Sequence, residues 1–237
     1  MVKLVCFDFW NTLYENIPNN PKKEYTYNLI YDAFNKKISI NQITEYMKKF
    51  DTVFNDNKQY TNVNRINFLE KIFHFFLLEK DKLNLDRKIS EAVIKYPPIL
   101  DNDVINFLKF LKRKKYNIIL VSDTNYSYGK SIRIILKNDG IIDYFDYLIF
   151  SDETNLRKPN PKIFQFICKR FNVTPNQCLF IGDSEKKDII GPKEQGFYTA
   201  KKCNNENFMS PSKCNIKFTS FSDLQKEFIR GGVFYGI

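Results

Sequence analysis

The sequence predicts a three-layer α/β protein, a doubly wound parallel sheet with an α-helical unit inserted after its first strand. Three observations predict it. From residue 103 onward, short apolar segments alternate with amphipathic ones; residues 22–97 contain no glycine and repeat apolar side chains at helical spacing; and several apolar segments end in a carboxylate or hydroxyl residue. Alternation of this kind places parallel strands between two helical layers. A chain of 237 residues suffices for one such core plus a modest second unit.

The elements follow in order. Residues 2–8 (Val-Lys-Leu-Val-Cys-Phe-Asp) read as a buried strand ending in an acid. Leu29, Ala33 and Phe34, then Phe68, Ile72, Phe75 and Phe76 beside Leu77 and Leu78, mark several packed helices that Pro97-Pro98 terminates. The expected division is a cap at 16–97 and a core at 1–15 and 98–237. Within the core, helices are expected at 103–115, 127–138, 161–171, 186–195 and 221–229. Strands are expected at 116–121, 147–150, 177–181, 197–200 and 216–219, with a polar loop at 201–215.

Composition narrows the function classes. The formal charge is +10, but 16–97 carries 14 basic and 10 acidic residues and the remainder 23 and 17, so the excess is spread along the chain. Lys112 to Lys115 is the one dense basic run, and it reads as a solvated helix end and not as a nucleic-acid patch. The charge instead suggests attraction to a small anionic metabolite. Five cysteines without a Cys-x-x-Cys pair and a single histidine, His74, argue against a zinc site and for reduced thiols. His74 reads as a packed residue of the helical insert. No apolar run is long enough to span a membrane, and a cytoplasmic location is expected because the chain opens without a secretory h-region.

In a doubly wound sheet, ligands bind outside the carboxyl ends of the strands. There the sequence delivers Asp8 with Trp10, Asn11 and Thr12, then Ser122-Asp123-Thr124, then Arg157-Lys158-Pro159, then Gly182-Asp183-Ser184. Each has a plainer reading: Asp8 or Asp188 as a helix cap, Ser122 and Asp123 as turn residues, Lys158 as a surface lysine. Taken together they suit phosphoryl chemistry. A carboxylate can attack phosphorus and divide one difficult step into two. Asp8 and Asp183 can offer the oxygen ligands a magnesium ion requires. Lys158, Ser122 and the N–H groups after Asp8 can neutralise or hydrogen-bond the phosphoryl oxygens.

The order Asp8-Phe9-Trp10-Asn11-Thr12-Leu13, Ser122, Lys158-Pro159-Asn160-Pro161 and Gly182-Asp183 with Asp188 resembles the four motifs of the haloacid dehalogenase-like hydrolase superfamily, and the insert resembles its helical cap. The resemblance implies Asp8 as nucleophile and Asp8, the Trp10 backbone carbonyl and Asp183 as Mg²⁺ ligands. It implies Ser122 and Lys158 as the phosphate-binding pair, Asp188 as an acid backing the metal, and Thr12 as the hydroxyl closing the first loop. Trp10, Asn11, Thr12 and Asp123 join Ser122 and Lys158 in the expected substrate-binding set.

One departure stands out. Most phosphatases of the superfamily have a second Asp two residues after the nucleophile; here that position is Trp10, which transfers no proton. General acid–base help is worth ~10²–10⁴-fold, and Asp123 is a candidate substitute. Two rivals follow, a metal-independent 2-haloacid dehalogenase forming an Asp8 ester and a catalytically weak binding or regulatory protein. The retained acids Asp183 and Asp188 favour a cation and a phosphorylated substrate.

Overall fold

The computed structural model describes residues 1–56, 65–73 and 77–231. The predicted first strand is β1 (Leu4–Phe7). A two-residue strand β2 (Tyr14–Glu15) then leads into α1 (Lys22–Ala33), α2 (Ile40–Asp56), α3 (Arg65–Phe73) and α4 (Glu79–Lys95). The chain returns through β3 (Ile99–Leu100), which pairs antiparallel with β2. This small ribbon closes the base of the helical excursion, and nothing in the hydrophobic pattern announces so short a pairing. Beyond it come α5 (Val104–Arg113), β4 (Asn117–Ser122), α6 (Gly129–Asn138), β5 (Tyr147–Phe150), a four-residue helix α7 (Ser151–Thr154) and α8 (Pro161–Phe171). Then follow β6 (Cys178–Gly182), a π-helical turn at Glu185–Ile190 running into α9 (Gly191–Glu194), β7 (Tyr198–Lys202), β8 (Ile216–Phe218) and α10 (Phe221–Arg230).

The main sheet is parallel with order β5-β4-β1-β6-β7-β8. The chain winds outward from β1 through β4 to β5, then crosses back to β6 on the other side of β1. The strand order therefore reverses at β1, which is where such sheets bind ligands. Alternate side chains of β1 serve two cores, as a period of two requires. Val5 and Phe7 pack under α5, α6 and α10, with Phe107, Ile132 and Phe221. Leu4 and Cys6 pack against Ile163, Phe164 and Ile167 of α8. A third cluster unites Ile30, Phe34, Ile43, Tyr46, Phe50, Leu69 and Ile89 of the inserted helices. His74, Phe75 and Phe76 lie outside the described residues.

Some boundaries differ from expectation. The predicted helix at 186–195 is a π turn followed by one α turn, with Pro192 near the start of the latter. The strand expected to end at Ala200 continues through Lys202, which is buried among partners described below. The helix expected from Ser127 begins at Gly129, because residues 125–128 are bonded to the inserted helices instead. The basic run behaves as read: α5 ends at Arg113, and Lys112 pairs with Asp146 at 2.7 Å.

Candidate active site

The central strands bring their carboxyl ends level. Phe7 is in register with Leu120 of β4 and with Ile181 of β6, and the Asp8 N–H donates to the Ile181 carbonyl at 2.9 Å. Asp8, Ser122 and Asp183 therefore leave the sheet side by side. After Asp8 the backbone makes one tight turn. Leu13 and Tyr14 N–H both donate to the Phe9 carbonyl, and Asn11, at φ 55, donates its N–H to the Tyr14 carbonyl. Asparagine tolerates this left-handed conformation better than most residues. No hydrogen bond reaches the Trp10 carbonyl from any described residue.

Lys158 enters from the loop after β5 across a cis bond to Pro159. Its Nζ lies 2.6 Å from Asp8 Oδ1 and 2.7 Å from Asp188 Oδ1, and all three residues are buried. Asp188 Oδ2 accepts from the Ser184 N–H at 3.0 Å. Thr12 Oγ1 donates to Asp8 Oδ2 at 3.3 Å, and Asn11 Nδ2 reaches Asp183 Oδ2 at 3.4 Å. Two glycines permit this crowding. A Cβ at Gly182 would collide with the Asp188 side chain, and one at Gly191 would collide with Pro159.

Asp8, Asp183 and Asp188 each offer an oxygen within 4.8 Å of the others. One ammonium among three carboxylates leaves the cluster short of positive charge, and the acids show it. Burial raises the Asp8 carboxyl to about 8, opposed by Lys158 and reinforced by Asp188 and Asp183. Asp183 is raised by burial and by Asp188. For Lys158, burial works against the charged form, but Asp188, Asp8 and Asp123 outweigh it and the pKa rises. Both partners of the ion pair thus shift upward, Asp8 through burial first and Lys158 through the acids around it. The hard oxygen donors, the unbonded Trp10 carbonyl and the charge deficit fit a small divalent cation such as Mg²⁺.

A cavity of about 380 Å³ opens above this cluster. Asp8, Trp10, Asn11, Asp123, Lys158, Asp183 and Asp188 line it, so most predicted site residues meet in one place. Ser122 and Thr12 do not line it. Ser122 is buried, and its hydroxyl has no hydrogen-bond partner among the described residues. Asp123 Oδ1 accepts the Lys158 N–H at 3.0 Å, and Oδ2 faces Lys187 at 3.3 Å, so this acid positions the lysine loop.

Sequence reasoning missed several neighbours. Lys22 and Phe54 of the inserted helices also line the cavity, with the Lys22 ammonium 4.8 Å from the centre of the Trp10 ring. Arg157 is buried against the Phe54 ring and donates to the Phe54 carbonyl. Arg65 joins Asp86 at 2.6 Å to the Tyr126 carbonyl, and Asp51 Oδ1 accepts from Asn125 and Tyr126. These contacts fasten the insert to the loop after β4 and to the segment that carries Lys158. Lys202 donates to the Thr12 carbonyl at 3.0 Å and pairs with Asp101 at 2.5 Å, clamping both ends of the excursion. Only its place in a polar segment beside a predicted strand hinted at Lys202.

Fold and crevice together define a class: a doubly wound α/β protein whose strand ends gather three acids around one lysine. Residues 2–196 match the haloacid dehalogenase-like hydrolase family, and the chain belongs to that family. It is 29% identical over 164 residues to a glyceraldehyde 3-phosphate phosphatase of Pyrococcus furiosus, covering 63% of each chain. It is 28% identical over 138 residues to (S)-2-haloacid dehalogenase 4A of Burkholderia cepacia, covering 57% of this chain and 54% of that one. The chain spans less than two thirds of the length of these curated relatives. The crystal structure of a HAD phosphatase from Thermococcus onnurineus shares the fold, with a TM-score of 0.71, 24% identity, and 96% and 98% of the two chains covered. Among the described residues, no helix is long and apolar enough to cross a membrane.

Proposed function

We propose that this chain is a Mg²⁺-dependent phosphatase of small phosphorylated metabolites, with Asp8 as nucleophile and residues 16–97 as a cap over the site. The observation that carries the reading is the Lys158 ammonium seated between Asp8 and Asp188, with Asp183 completing a cluster of hard oxygen donors. Asp8, Asp183 and the Trp10 carbonyl would hold the ion, with Asp188 behind them. The bound ion supplies positive charge against the phosphoryl oxygens and keeps Asp8 deprotonated.

The residues of the chain then divide the work. Lys158 orients the Asp8 carboxylate through Oδ1, leaving Oδ2 to attack phosphorus with only the long Thr12 contact to break. A P–O bond forms to Asp8 while the bond to the leaving oxygen breaks. Water then attacks phosphorus and regenerates the carboxylate. Lys158, which lines the cavity, offsets charge on the transferring group. Trp10 offers the leaving oxygen no proton, so that oxygen takes it from water, and turnover favours good leaving groups. The inserted helices, latched by Arg65, Asp51 and Arg157, exclude bulk solvent from the transfer.

Kinship with dehalogenases supplies a second reading, an Asp8 ester opened by water without metal. Asp183 and Asp188 weigh against it, since crowding two further acids around the nucleophile serves a cation. The test is turnover of p-nitrophenyl phosphate and a panel of sugar phosphates, with and without Mg²⁺, by wild type and Asp8→Asn. Mg²⁺-dependent phosphate release that vanishes in the variant is expected. Chloride release from 2-chloropropionate in EDTA, without phosphatase activity, would overturn the proposal.

A further inference from the structure

A second cavity, of about 280 Å³, lies between α1 and α2 directly beside the site. Lys22, Tyr126 and Ser127 line both cavities and form their common wall. The walls of the second are apolar for most of their extent, formed by Tyr27, Met47 and Ile89 with the ring of Tyr126. Tyr126 is fixed there by its hydroxyl on Asp51 at 2.9 Å and by its packing on Phe50. The volume falls just under that of drug-sized pockets and suits the body of a single ring or a short branched chain.

Charge around this chamber is lopsided. Lys22, Lys23 and Lys48 all line it, and among the described residues none pairs with an acid. Lys22 and Lys23 rest their ammonium groups on the Trp10 and Tyr27 rings. Asp51, the acid on the lining, has Oδ1 occupied by Asn125 and Tyr126. Three lysines thus line an apolar hollow adjoining the phosphoryl site, Lys22 on the wall shared with that site and Lys23 and Lys48 exposed to solvent. Long stems let Lys22 swing aside for a ligand passing between the cavities.

We infer that the leaving group of the substrate carries a compact apolar body that fills this chamber and a second anionic group that the three lysines hold. This rests on the phosphatase reading, whose site supplies the phosphoryl end. A small polyol phosphate would use only the first cavity.

The test compares 4-carboxyphenyl phosphate, phenyl phosphate and glycerol 3-phosphate, measured by calorimetry on Asp8→Asn protein in Mg²⁺ and by turnover on wild type. Affinity is expected to fall in that order. The ring is worth about tenfold or more and the carboxylate about fivefold, as for a buried apolar group and a partly exposed ion pair. Thr44→Trp, which fills the chamber from α2, should reduce both aryl esters to the affinity of glycerol 3-phosphate. Lys23→Met/Lys48→Met should erase the advantage of the carboxylate. Equal affinities for the three esters, or none for any, would overturn the inference, and this ladder needs no chamber variant to fold. The expected ladder without turnover of any ester would sink the phosphatase reading and leave the chamber standing. Turnover without discrimination would do the reverse.

Discussion

Lys158→Met gives the sharpest perturbation of this site. The methionine keeps the length of the apolar stem and removes one ammonium that is 1% exposed and lies 2.6 and 2.7 Å from two buried carboxylates. Removing one partner of a buried pair costs about 3–5 kcal/mol, because the remaining charge is left without compensation. For a chain of this size each kcal/mol lowers Tm by about 2–4 °C, so a fall of roughly 6–20 °C is expected in metal-free protein near neutral pH. The pH dependence is diagnostic. The raised pKa of Asp8 means that the folded state binds its proton more tightly than the unfolded chain does. Its contribution is therefore fully present below the unfolded pKa near 4 and is lost as pH rises toward about 8. Without Lys158 to oppose it the Asp8 pKa rises further, so the loss runs on where wild type levels off, and the Tm gap between wild type and variant should widen from about pH 7 to about pH 9. Scanning calorimetry across that range, with EDTA, measures it. A gap of a degree or two that ignores pH would refute the ionic account of the cluster.

Three other outcomes follow. Asp8→Asn should abolish ester hydrolysis yet leave metal-free Tm unchanged or higher, since it removes one of three crowded acids, as thermal melts and phosphate release would show. Mg²⁺ affinity by calorimetry should tighten about tenfold per pH unit up to about pH 8, because the ion displaces the Asp8 proton below that value. Trp10→Asp should raise kcat on alkyl phosphates by ~10²-fold or more while changing p-nitrophenyl phosphate little, since only poor leaving groups need a proton donor.

The sheet was legible because its strands are continuous apolar runs, buried on both faces, and because helices between them repeat at 3.6 residues. The strand-end residues were legible for the same reason: once β1, β4 and β6 were placed, Asp8, Ser122 and Asp183 had to emerge at one edge. Lys158 was harder, since a lysine before proline looks like any surface loop; only its pairing with Asp8 shows why it is buried. Arg65 and Lys22 were not legible, and Lys202 was hinted at only by its place in a polar segment beside a predicted strand. Arg65 and Lys202 act through partners 61 and 190 positions away in sequence, Tyr126 and Thr12, and Lys22 acts through the ring of Trp10. No local periodicity encodes such a contact. The two-residue ribbon of β2 and β3 escaped because it is too short to show alternation.

In the proposed reaction an Asp8 carboxylate oxygen receives the phosphoryl group. Acid-quenching wild-type protein during turnover of p-nitrophenyl phosphate in Mg²⁺, then weighing its peptides, measures this directly. The peptide holding Asp8 should carry the added mass of one phosphoryl group, lost on treatment with hydroxylamine. An unmodified Asp8 peptide under sustained phosphate release, or one that gains ¹⁸O from labelled water, would contradict it.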